Sequence, residues 1–133
     1  MNYVKIGGKT WDVLVTEIVE SFSILYSENT GRTMSRGAGM TLDPLGTFFN
    51  YKVTFKRIQE NVKEYDSLWE FLSQPRYDGV DVEIVHNQTT LKFKAYVSQG
   101  ERGLKKIDKK SNKVYWDKFT ANIIPMEAQV LPE

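Results

Sequence analysis

Few residues of this chain are of a kind that does covalent or metal chemistry. There is one histidine, His86, and no cysteine, so no thiolate nucleophile, disulfide framework or Cys/His metal spacing exists. A general base or zinc site built on His86 needs carboxylates beside it. The nearest in sequence, Asp81 and Glu83, fall on the opposite face of a strand, so His86 is read as structural or solvent-exposed. Neither HExxH, GxSxG nor a phosphate-binding loop occurs. The expectation is a protein that is not an enzyme, with no cofactor and no metal.

Other residues suit recognition better. The stretch Gly31-Arg32-Thr33-Met34-Ser35-Arg36-Gly37-Ala38-Gly39 lacks the order of a dinucleotide loop, but its two arginines suit bidentate contacts to carboxylates. Between Lys92 and Lys118 the bases are Lys92, Lys94, Arg102, Lys105, Lys106, Lys109, Lys110, Lys113 and Lys118, against the acids Glu101, Asp108 and Asp117. Asp12, Glu17, Glu20 and Glu28 are unopposed over the segment Thr10–Glu28. A lysine-rich hairpin is ordinarily a solvated sheet edge. Here its sign also complements the acidic segment, which suits head-to-tail docking of copies. Net charge is only +1, which gives no global field for nucleic acid or membrane. Trp11, Trp69 and Trp116 would be the stacking platform of an alternative, a carbohydrate-binding-like module.

Residues of these types need elements to position them. A length of 133 residues fits a single domain, 1–133, and 41% hydrophobic with 13% aromatic content is enough for a core. Tyr3–Ile6 reads as a strand ended by Gly7-Gly8. Thr10–Thr16 and Ile18–Tyr26 alternate as a first hairpin, with Glu20 breaking the apolar face, a sign of a bulge or of a face only partly buried. Residues 27–44 carry three glycines and little apolar periodicity, so they are expected to be a flexible loop. Gly46–Ile58 returns to strand. Asn61 as N-cap, Glu64 three residues on, and Val62, Tyr65, Leu68, Trp69 and Leu72 at helical spacing predict a helix that Ser73-Gln74-Pro75 ends. Val80–His86 and Thr90–Val97 form a hairpin about Asn87-Gln88, with Lys92 and Lys94 facing Glu83 and Asp81. Leu104–Lys109 and Lys113–Ile124 form another, and the extended tail 125–133 leaves the sheet. The first residues contain no apolar signal core and no run reaches membrane length, so folding in a cytoplasm is expected.

The segments Ser23-Ile24-Leu25-Tyr26-Ser27-Glu28-Asn29-Thr30-Gly31-Arg32, Leu42-Asp43-Pro44-Leu45-Gly46-Thr47 and Ile124-Pro125-Met126-Glu127-Ala128 resemble small tail proteins of long-tailed bacteriophages and prophages. Glu64-Tyr65-Asp66-Ser67-Leu68-Trp69-Glu70-Phe71-Leu72-Ser73 followed by a hairpin is similar to the ring-forming N-terminal domain of distal tail proteins, whose fold is shared by tail-tube proteins. The chain lacks the second domain of distal tail proteins, which leaves tube, tail-terminating and baseplate-adaptor roles open. The resemblance implies a mainly β (α+β) fold: an antiparallel β-sandwich or barrel with one flanking α-helix and long hairpin loops. It also implies a virion protein made in the bacterial cytoplasm and closing into a homo-oligomeric, six-fold ring with other tail proteins as partners. Arg32, Met34, Arg36, Met40, Lys105, Lys106, Lys109 and Lys110 are the expected subunit-interface residues.

Overall fold

Alternating branched and aromatic residues over most of the length leave the chain little choice but to build strands. The computed structural model describes residues 3–32, 37 and 39–133. Its elements run β1 (Val4–Ile6), β2 (Val13–Tyr26), β3 (Gly31–Arg32), β4 (Met40–Thr41), β5 (Pro44–Arg57), α1 (Val62–Ser73), β6 (Val80–His86), β7 (Thr89–Asp108) and β8 (Lys113–Pro125). Six strands form one antiparallel sheet in the order β1-β6-β7-β8-β5-β2, and β3 pairs with β4 as a separate ribbon. The fold is therefore mainly β with a single helix packed on a large antiparallel sheet, as expected. No helix among the described residues is long and apolar enough to cross a membrane.

One face of the sheet carries the core. Tyr51, Val53 and Phe55 of β5, Phe119, Ala121 and Ile123 of β8, and Val80, Val82 and Ile84 of β6 are all buried, with Ile6 of β1 beside them. The helix covers this face with Tyr65, Leu68 and Leu72. Phe119 is the hub: its ring lies 5.0 Å from Phe55, 5.1 Å from Tyr65 and 5.4 Å from Trp69. On the other face Thr54, the one buried polar residue among the described residues, meets Thr120 hydroxyl to hydroxyl at 3.2 Å.

The helix begins and ends as its residues dictate. The Asn61 side chain accepts a hydrogen bond from the Glu64 amide, and Gln74, which precedes Pro75, is already extended. The reciprocal half of a capping box is missing. Glu64 instead accepts from the Asp12 amide at 3.2 Å and pairs with Lys9 at 3.6 Å, so it ties the helix start to the chain entering β2.

Several expectations need correction. Thr10–Glu28 is not a hairpin but one 14-residue strand along the sheet edge. Its register shifts lie between Val15 and Glu17 and between Leu25 and Tyr26, not at Glu20. The stretch 27–44 is not wholly loop: Gly31 and Arg32 pair with Thr41 and Met40. Thr90–Val97 and, up to Asp108, Leu104–Lys109 are parts of one 20-residue strand, β7, whose shifts after Val97, Arg102 and Leu104 break the sequence alternation without breaking the ladder. The tail does not leave the sheet. The Thr47 amide donates to the Val130 carbonyl, the Gln129 side chain bonds both backbone groups of Phe49, and Ala128 sits where a Cβ on Gly46 would come within 2.5 Å of it.

Candidate assembly interface

The clearest surface feature is β2. It hydrogen-bonds β5 on one side, and no strand among the described residues pairs with its other side. Its sequence, VLVTEIVESFSILY, contains no lysine, arginine or proline, the residues that ordinarily blunt an edge. From Glu17 to Leu25 it pairs with β5 without a break, so that stretch presents a regular row of unpaired backbone groups. Its apolar side chains are also open to solvent on both faces of the sheet: Phe22 is 67% exposed, Leu25 51% and Val19 46%.

A second open edge belongs to the β7–β8 hairpin. β6 covers β7 only from Thr89 to Ala95, so the distal part has β8 as its sole strand partner among the described residues. The base of this hairpin is fixed firmly. The Arg102 guanidinium lies 4.5 Å from the Trp69 ring and 4.2 Å from that of Trp116, and pairs with Asp66 at 3.2 Å. Tyr115 donates to Glu60 at 2.7 Å, with Arg57 over its ring. At the turn, Asp108 accepts from the amides of Ser111 and Lys110, and the Ser111 side chain first, then these amides, hold its carboxyl below the usual range. Beyond this base the side chains project outward. Leu104 and Ile107 are exposed among Lys105, Lys106, Lys109 and Lys110, and none of those four lysines enters an ion pair among the described residues.

The expected interface residues fall into two groups. Arg32 and Met40 face each other across the β3–β4 ribbon, both exposed. The ribbon is closed below by Ser27 bonding Asp43 and by the Asp43 amide donating to Thr30 at 2.8 Å. Met34 and Arg36 lie outside the described residues. The four lysines sit on the β7–β8 hairpin. The ribbon follows the β2 end that pairs with Pro44, whereas the hairpin base touches Arg57, which pairs with the opposite β2 end at Val13. The two groups are thus at opposite ends of the sheet rather than in one patch.

A polar cluster that sequence reasoning missed explains Glu20. Glu20 is opposite Tyr51 in the ladder and accepts a hydrogen bond from its hydroxyl. His86 Nδ1 lies 2.7 Å from the same Glu20 oxygen, and Phe49 packs on the imidazole at 4.8 Å. Partial burial alone would raise the Glu20 carboxyl, but the bonds from Tyr51 and His86 outweigh it and hold the group below its ordinary value. A carboxylate only accepts, so the Nδ1 facing it carries a proton. Burial, then Glu20, push the Tyr51 phenol well up. β2 and β6 are four strand spacings apart, roughly 19 Å in a flat sheet. The contact therefore requires a strongly curled sheet. The signal in sequence was the acid on an apolar face. Its partner lies 66 residues away, too far for any local pattern to indicate.

The three tryptophans are engaged within the protein. Trp11 donates to the Ile6 carbonyl at 3.0 Å and packs on Phe71, and Trp69 and Trp116 hold Arg102. No group of three or more His, Asp or Glu side chains suited to a metal occurs among the described residues. No protein-family model matches this chain, and no curated protein matches it.

Proposed function

We propose that this chain is a non-enzymatic structural subunit of a bacteriophage or prophage tail, a ring-forming tube, distal-tail or baseplate-adaptor component that works by assembling. The observation that carries the reading is β2: 14 residues of open sheet edge with apolar side chains exposed on both faces, no lysine, arginine or proline, and only two charges, Glu17 and the Tyr51- and His86-bound Glu20. Such an edge is a hazard to a protein that remains alone and a joint for one that does not. The resemblance of residues 23–32, 42–47 and 124–128 to small tail proteins, and of 64–73 to the ring-forming domain of distal tail proteins, supplies the biological setting. A closed ring needs two different complementary patches on each copy, and the open edge and the basic hairpin are two such patches. Arg32 and Met40, on the ribbon beyond β2, are then contacts to the adjoining copy or the adjoining ring.

Sedimentation and negative-stain electron microscopy of the purified chain test this reading. Rings of fixed copy number with a central opening are expected. A chain that stays monomeric at every concentration overturns it.

A further inference from the structure

We infer that the distal β7 edge of one copy, Gly103–Asp108, adds to the open β2 edge of a second copy along Glu17–Leu25. This inference rests on the assembly reading above and specifies the joint. Three independent features of the two edges match. Both lack a strand partner on one side, so each offers the backbone groups the other needs. Both carry exposed apolar side chains, Leu104 and Ile107 on one and Val19 and Leu25 on the other. Their charges are opposite: Val13–Tyr26 contains acids and no base, while Lys105 and Lys106 lie on the β7 edge.

The electrostatics favour this pairing over two copies of β2 meeting each other. Glu20 is turned toward Tyr51 and His86, which leaves Glu17 as the outward charge of β2; a β2–β2 pair brings only acids to the joint, whereas the β7 edge brings lysines to it. The hairpin is a suitable insert because its base is already rigid. Arg102 is clamped between Trp69 and Trp116, so little freedom remains to be lost on docking. Each copy has one donor edge and one acceptor edge, the requirement for a head-to-tail contact that closes into a ring. Backbone pairing and apolar contact supply most of the affinity, and charge fixes the register.

Reciprocal charge reversal on the full chain tests this. Glu17→Lys alone and Lys105→Glu with Lys106→Glu should each weaken association about tenfold or more by sedimentation equilibrium at moderate salt, with unchanged circular dichroism. Combining all three in one chain, or mixing the two variants, should restore association to within about threefold of the parent, since opposite charges face each other again. Val19→Lys with Leu25→Lys should abolish association. If the parent assembles but the hairpin reversal has no effect, or the combination gives no rescue, this joint is wrong while the assembly reading stands. A monomeric parent removes both.

Discussion

At one edge of the sheet the chain folds back over itself. β1 is only three residues long, and its last residue, Ile6, exchanges backbone hydrogen bonds with Lys9 while its carbonyl also accepts from the Trp11 indole. Ile6 is 1% exposed, and the turn through Gly7 and Gly8 keeps positive φ at both glycines. At the other edge β2 runs four to five times as far with no strand over it among the described residues, and most of its apolar side chains are in solvent, with Val13 and Ile18 half-buried against the core. One protein thus contains a finished edge and an unfinished one. The finished edge costs the chain a turn, a tryptophan and two glycines. On the assembly proposed above, leaving β2 without the same treatment, or even one lysine, keeps that edge free for a second copy.

Breaking the closed part should cost most. Phe119→Ala removes the ring on which Phe55, Tyr65 and Trp69 converge and should destabilise by about 3–5 kcal/mol in urea melts. Gly7→Ala comes next. Its φ of +66° disfavours a side chain, and the added Cβ would lie 2.5 Å from the Phe71 ring, so a loss of about 2–3 kcal/mol is expected by the same measurement.

Glu20→Gln sharpens the comparison at the place where the open strand is tied down. A loss of about 1 kcal/mol is expected at neutral pH. The folded carboxyl lies below its ordinary value of 4.5, so its contribution is complete above that pH and fades as pH falls through the lowered value. The stability difference between parent and Glu20→Gln should therefore shrink as pH falls below 4.5 in thermal melts. A difference that grows on acidification would contradict this arrangement. The smallest effect is expected on the open edge itself. Phe22→Ala, at 67% exposure, should change monomer stability by less than about 0.5 kcal/mol. A loss of several kcal/mol in dilute monomer would show that β2 is already part of the core and would erase the contrast between the edges.

The helix and the β6–β7 hairpin were legible because their signals are local. Asn61 and Pro75 delimit α1, and Asn87, at φ 53°, makes the turn that Asn87-Gln88 suggested. Cross-strand pairs Lys92–Glu83 and Lys94–Asp81 form at 3.7 and 3.8 Å, as alternation implied. β7 was not legible as one strand because its irregularities near Ser98, Gly103 and Lys105 change which side chains share a face. The openness of β2 was hidden for a different reason. Ile18, Phe22, Ile24 and Tyr26 have the pattern of a half-buried strand, and alternation records which face a residue is on, not whether anything covers it. The expected site divided similarly: the lysine-rich hairpin stood out by composition, whereas the acceptor edge depends on a strand order that only folding decides.

The 20 residues of β7 have a mechanical consequence. A single unbroken backbone runs from the turn at Asn87 through the core to the hairpin tip, bonded to β6 at one end and to β8 along most of its length. A pull on the tip along the strands draws β7 and β8 together, so it loads the β6–β7 and β5–β8 ladder bonds in parallel, in shear, instead of opening them one by one. The hairpin is therefore a cantilever built into the core, and tension applied at its end is delivered to the centre of the sheet rather than absorbed by a hinge.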